Sequence, residues 1–146
     1  LAENDFRITY RDLLAAVDRI ARDLQNHGVE PTNRVAILAD DSIDYILANL
    51  AILSISAVAV PVSTSLSAEE AAQIISQMAV DFVLSDRSMP DPCTPLCPGA
   101  FVSHKLLISH RHPATPMPAS YYSMNPAFIR FSSGTTGASK GGPAFP

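Results

Sequence analysis

The chain has no tryptophan, only two cysteines among its 146 residues, and no acidic residue anywhere after Asp91. Each absence removes a class of function. Cys93 and Cys97 stand in a C-x3-C spacing within a proline-rich stretch and have no matching second pair, so a structural zinc site would need two further ligands. They fit reduced loop thiols, with a local disulfide open only to an oxidising compartment. No apolar run reaches the roughly 18 residues needed to cross a bilayer, and the opening LAEND lacks the basic start and apolar stretch of a signal peptide. A cytoplasmic setting, or an organelle lumen, fits best. The first residue is Leu1 rather than methionine, which suits a polypeptide processed or cut from something longer.

Basic residues are few, with no stripe of the kind that binds nucleic acid. All fourteen acids lie at or before Asp91, while Lys105, Arg111, Arg130 and Lys140 are the full charges beyond it. The last third is therefore cationic although the whole carries a net charge of −4. That sign suits a polyphosphate ligand and equally suits a solvated surface. His104, His110 and His112 have no neighbouring acids and are expected in solvated loops. Tyr121 and Tyr122 are expected as core or edge residues.

What the sequence does have is a composition of 47% hydrophobic and 16% charged residues, that of a globular domain, and a repeated alternation of elements. Thr9 and Asp12 have capping-box spacing ahead of apolar positions Leu13, Leu14, Val17, Ile20, Ala21 and Leu24, which predicts an amphipathic helix ending near His27, before Gly28 and Pro31. Residues 34–39 (RVAILA) form a buried strand, and Asp41 or Ser42 caps a second helix with Ile43, Ile46, Leu47, Leu50 and Leu53 inward. Residues 57–62 (AVAVPV) form the second strand. Ser67 and Glu70 make another capping box, opening a helix that turns Ala71, Ile74, Ile75 and Met78 to the core, and residues 81–85 form the third strand. Strand and helix in short alternation predict an α/β fold: a parallel sheet with helices on both faces. Between Pro90 and Pro126 eight of the twelve prolines interrupt the pattern; residues 101–108 could add a strand there, and residues 127–131 regain strand character.

Directly after that strand, residues 132–141 (SSGTTGASKG) place three glycines, five hydroxyls and one lysine in ten positions. Glycines let backbone amides converge on an anion, hydroxyls add donors, and lysine adds a full charge. Counting from Gly134, Ser139 falls where a Walker A loop needs its second glycine, and Thr136 falls where the dinucleotide fingerprint needs one. Composition alone leaves a phosphate loop and a flexible linker equally open.

Residues 131–141 resemble the signature loop of the adenylate-forming (AMP-binding) superfamily, which includes acyl- and aryl-CoA ligases, luciferases and peptide-synthetase adenylation domains. Residues 8–13 (ITYRDL), 28–37 (GVEPTNRVAI) and 50–62 (LAILSISAVAVPV) resemble its opening helix, first core strand and helix-to-strand segment, in the same order. The resemblance implies an incomplete N-terminal subdomain over residues 1–141 and a divergent tail over residues 142–146. It implies a ligase chemistry closest to the acyl/aryl-CoA ligases: a small carboxylic acid attacks the α-phosphate of ATP, with Mg2+, and the acyl-adenylate passes to a thiol such as CoA or a carrier protein. Ser132, Ser133, Gly134, Thr135, Thr136, Gly137, Lys140 and Gly141 match the loop that embraces the β- and γ-phosphates, and no residue of this chain matches a catalytic nucleophile or a metal ligand; the magnesium ligand is expected downstream. Ser139 stands where the family has proline, and Pro143 would interrupt the strand expected next. Two alternatives stay beside this expectation: a peptide-synthetase adenylation domain fragment, and an inactive truncated remnant that keeps at most a phosphate-binding loop. The chain alone is expected not to complete adenylation.

Overall fold

A computed structural model describes residues 2–3, 6–96, 106–111, 118–132 and 140–144. In chain order they form β1 (Ala2–Glu3), β2 (Phe6–Arg7), α1 (Tyr10–Asn26), β3 (Arg34–Leu38), α2 (Ile43–Ser54), β4 (Val58–Pro61), α3 (Ala68–Gln77), β5 (Phe82–Ser85), β6 (Thr94–Pro95), β7 (Leu107–His110), α4 (Ala119–Met124), β8 (Phe128–Ser132) and β9 (Lys140–Ala144). β1 and β2 pair as a small antiparallel ribbon. The main sheet has seven strands in the order β6-β7-β5-β3-β4-β8-β9.

Its centre is parallel, as the strand–helix alternation requires: β5, β3, β4 and β8 pair in one direction. The flanks are antiparallel, β7 on β5, β6 on β7 and β9 on β8, so the sheet is mixed rather than wholly parallel. β7 begins at Leu107 and runs to His110, later than the strand expected over residues 101–108. β9 runs through Pro143, which pairs with Ile129. The expected interruption does not occur, because β9 is the outer strand among the described residues and proline's missing donor is tolerated at an edge.

Alternation along the central strands feeds two cores. Val35, Ile37, Ala59, Phe82 and Leu84 pack with α1 and α2 on one face. Ala36, Val58, Val60, Val83 and Ile129 pack with α3 and Tyr121 of α4 on the other. Each fully buried Val, Leu or Ile contributes about 1.5–3 kcal/mol, so both layers are needed to hold the strands. Some apolar positions expected inside lie outside: Leu14 is 62% exposed, and Ile46 and Leu50 are 39% and 37% exposed. α2 has apolar residues on nearly all sides; it buries Ile43 and Leu47 as expected, with Ala51 and Ile52 inward in place of Ile46 and Leu50.

Three helices stop by the same device. The residue two beyond each C-cap region returns its amide to the last turn: Val29 to Leu24, Ala57 to Ile52 and Val80 to Ile75, at 3.0, 3.1 and 3.2 Å. The preceding residue is left-handed in each, Gly28 (φ 89), Ser56 (φ 59) and Ala79 (φ 46). Val29, Ala57 and Val80 are buried, so each stop also aims the chain into the next strand. At the starts, Ser67 and Glu70 complete a reciprocal capping box and Ser42 caps α2. Thr9 accepts the Asp12 amide at 3.2 Å, but the Asp12 carboxylate takes the Thr9 hydroxyl at 2.6 Å, so the expected reciprocal bond to the backbone is not made. Aspartate is one methylene shorter than the glutamate that normally closes such a box.

Candidate functional site

The parallel strands determine where a site can form. After β3 the chain turns to α2 on one face, and after the adjacent β4 it turns to α3 on the other. Neighbouring strands whose connections part in this way leave a crevice at their carboxyl ends, the usual ligand position in open α/β sheets. A cavity of about 610 Å³ lies there. Ala39, Asp40 and Asp41 line it beyond β3, Pro61, Val62, Ser63 and Thr64 at the end of β4, Tyr45 from α2, Leu66 and Ile74 from the α3 side, and Arg130 from β8.

Hydrogen bonds fix the rim. The Val62 amide donates to the Ile37 carbonyl at 3.0 Å, tying the end of β4 to β3. Ser63 and Ser65 hydroxyls lie 2.8 Å apart, and the Ser65 amide donates to Ser63 Oγ at 3.3 Å, holding the turn that presents Ser63 and Thr64. Asp40 donates its amide to Asp86 Oδ2 at 3.0 Å and accepts from Arg87 Nη2 at 2.9 Å. Arg87 Nε also lies 3.3 Å from Asp86 Oδ1, an ionic contact not aligned as a hydrogen bond. The carboxyl ends of β3 and β5 are thereby joined by alternating charges.

β8 runs parallel to β4, so Ser132, its last residue, stands at this same edge of the sheet. Lys140 takes the register position opposite Ser132, and Gly141 the position opposite Phe131. Of the residues proposed from the sequence to hold phosphates, these three are placed by the register; Ser133, Gly134, Thr135, Thr136 and Gly137 lie outside the described residues. No ligand-binding motif of the sequence marks Arg130, Asp40, Asp41, Tyr45, Ser63 or Thr64 as lining a site. The signal that could have found them is the pair of buried strands followed at once by capped helices, which marks their carboxyl ends as a crevice.

A second, smaller cavity of about 220 Å³ is lined by His27, Phe82, Pro92, Cys93, Thr94, Ile108 and His110. His110, expected in a solvated loop, instead ends β7 and stacks on Phe82 with ring centroids 4.5 Å apart. His104, His112 and Cys97 lie outside the described residues, and Cys93 is a free thiol. Among the described residues no three His, Cys, Asp or Glu side chains converge on a point that could hold a metal ion.

The family model for AMP-binding enzymes matches residues 1–143. The chain belongs to the AMP-binding enzyme family. Among its relatives, nonribosomal peptide synthetase opaA of Aspergillus ustus is 32% identical over 139 residues, covering 94% of this chain and 4% of that protein. The N-terminal subdomain of NpsA from Klebsiella oxytoca, solved in complex with 3-hydroxyanthranilyl-AMSN, superposes with a TM-score of 0.71 at 25% identity, covering 94% of this chain and 34% of that chain. The inhibitor-bound N-terminal domain of FACL13 from Mycobacterium tuberculosis superposes with a TM-score of 0.66 at 26% identity, covering 96% of this chain and 38% of that chain. This AMP-binding chain thus spans little more than a third of those solved structures and a small part of the synthetase. Its mixed sheet with helices on both faces is the fold of their N-terminal subdomains. No helix of its described residues is long and apolar enough to cross a membrane.

Proposed function

We propose that this chain supplies the pyrophosphate-holding part of an ATP-dependent carboxylate-activating ligase. The observation that carries this reading is the register of β8 and β9. It brings positions 132 and 140 opposite one another at the carboxyl edge of the sheet, in a chain of the AMP-binding family. In the reaction proposed, a carboxylate oxygen of a small organic acid attacks the α-phosphorus of ATP. The bond from that phosphorus to the bridging oxygen of pyrophosphate breaks, leaving an acyl-adenylate. A thiol of CoA or a carrier protein then attacks the acyl carbon, and AMP departs.

The loop from Ser132 to Gly141 acts on the leaving group. Ser132, Ser133, Thr135 and Thr136 donate hydroxyl protons to β- and γ-phosphate oxygens, Gly134, Gly137 and Gly141 let backbone amides approach, and Lys140 opposes the charge that builds on pyrophosphate. Mg2+, when bound with the nucleotide, neutralises phosphate charge. Carboxylate-dependent exchange of labelled pyrophosphate into ATP, measured on the longest polypeptide that carries these residues against a panel of acids, tests the reading. Exchange with at least one acid, lost in Lys140→Ala, is the expected result; absence of exchange with every acid would overturn it.

A second reading, an adenylation unit of a peptide synthetase, is favoured by the likeness to opaA over nearly the whole chain. The acceptor separates the two. Release of AMP driven by CoA supports the CoA ligase, and release driven only by a pantetheinylated carrier protein supports the synthetase.

A further inference from the structure

Arg130 is not part of the phosphate-loop motif, yet the fold places it with that motif. It is exposed and lines the 610 Å³ cavity. Residues alternate along a strand, so positions 130 and 132 of β8 share one side of the ribbon, whereas Ile129 turns into the core with α3. Directly opposed residues of an antiparallel pair share a side as well, which puts position 140 with 130 and 132. Positions 130 and 140 are then diagonal neighbours, about 7–8 Å apart in such a ribbon. The position directly opposite Arg130 is Gly142, which has no side chain to compete for that face.

The electrostatics of the cavity narrow the ligand. Among the described residues of its lining, Arg130 is the one cationic side chain. Asp40 and Asp41 stand beyond β3 on the far side of β4 from β8, and Asp40 is engaged by Arg87 at 2.9 Å. An anion is repelled from the aspartate wall and drawn to the β8 wall. A guanidinium is also the group best suited to hold two oxygens of a phosphate or carboxylate at once.

We propose that Arg130 forms an oxyanion subsite at the β8 wall of this cavity, adjoining the Ser132–Lys140 pair and extending the grip on the bound anionic ligand. The proposal rests on the phosphate-loop reading given above for the identity of its neighbour. Two ligand groups share the required chemistry: the polyphosphate of the nucleotide and the carboxylate of the acid to be activated.

Calorimetric titration of the 146-residue chain with inorganic pyrophosphate, and separately with benzoate, distinguishes them. Loss of one charge-assisted hydrogen-bond donor lowers affinity by about tenfold or more. Arg130→Gln weakening pyrophosphate by that factor, with part of the affinity restored in Arg130→Lys, assigns the subsite to polyphosphate. Unchanged pyrophosphate with a tenfold loss of benzoate assigns it to the carboxylate. Wild-type affinity for both probes in Arg130→Gln overturns the subsite; if Lys140→Ala still loses pyrophosphate, the loop reading survives without it. The reverse pattern, loss in Arg130→Gln and none in Lys140→Ala, retains Arg130 and removes the loop reading. Binding of neither probe to the unsubstituted chain overturns both. Arg130→Met, which keeps the alkyl stem, repeats the comparison should the glutamine variant lose its helical circular dichroism.

Discussion

Arg34 and Asp81 hold each other at the amino ends of β3 and β5 through side chain and backbone together. Nε and Nη2 of Arg34 donate to the two carboxylate oxygens at 3.0 and 3.1 Å, and the Arg34 amide donates to Asp81 Oδ2 at 2.7 Å. The Asp81 amide returns to the Arg34 carbonyl at 2.9 Å. Both residues are only 3% exposed. The pair closes the sheet at the edge opposite the cavity, and Tyr121 sits against it, its ring 5.9 Å from the guanidinium carbon.

Removing one member leaves the other charged in a dry place. Asp81→Ala is expected to lower stability by about 3–5 kcal/mol. Urea unfolding followed by circular dichroism checks this, and a loss below about 1 kcal/mol would mean that water reaches Arg34 once Asp81 is gone.

Tyr121 gives the fold an alkaline limit. Burial is the main cause raising its pKa from 10.0 to about 12; the Arg34 charge opposes the rise, and Asp81 and Tyr122 add to it. The folded chain therefore keeps this phenol protonated where the unfolded chain has released it. The stabilisation is complete below pH 10 and declines as pH rises from there through about 12. Tyr121→Phe should flatten that decline in melts recorded across the interval, at the cost at every pH of the bond its hydroxyl donates to the Thr32 carbonyl at 3.2 Å. Parallel pH profiles for the two proteins would contradict the assignment.

The left-handed helix stops make opposite predictions at equivalent positions. A Cβ built on Gly28 meets nothing nearer than Phe82 Cζ at 4.0 Å, so Gly28→Ala suffers only from its backbone conformation and should cost about 1 kcal/mol. Ala79 occupies the corresponding place after α3 with a Cβ, so Ala79→Gly should stabilise by about 0.5–1 kcal/mol. Chemical denaturation midpoints decide both, and substitutions of the same sign at the two sites would refute the shared-motif explanation.

At the start of α3, Ser67→Ala removes a hydroxyl that accepts the Glu70 amide at 3.2 Å and should cost about 1 kcal/mol. Asp12→Ala, in the box that lacks its backbone arm, should cost less in the same thermal melts.

Local chemistry made much of this fold legible in the sequence. Ser42, Ser67 and Gly28 mark helix ends through side chains or conformations that belong to those residue types, and the buried runs ending in Leu38 and Pro61 mark parallel strands because both faces must be apolar. The outward placement of Ile46 and Leu50 is not legible, because a helix that is apolar nearly all round has no periodicity to orient it. The antiparallel flanks were not legible, since Thr94 and Pro95 form a strand only by pairing with Ile108 and Leu107. The motif residues Ser132, Lys140 and Gly141 were visible as a composition. Arg130, Ser63 and Thr64 were not, because what joins them is one cavity where strands distant in sequence meet.

That meeting has a kinetic side. Arg34 and Val58, which pair early in the sheet, are joined through the single crossover that holds α2, whereas Ala59 and Phe128 are nearly three times as far apart in sequence. Closing the longer loop costs about 1 kcal/mol more in chain entropy, and it comes after the shorter one as the polypeptide leaves the ribosome. β8 brings Arg130 and Ser132 with it. The β8 wall of the cavity therefore follows the β3–β4 pair, and an emerging chain has its two cores largely assembled before it can grip an anion.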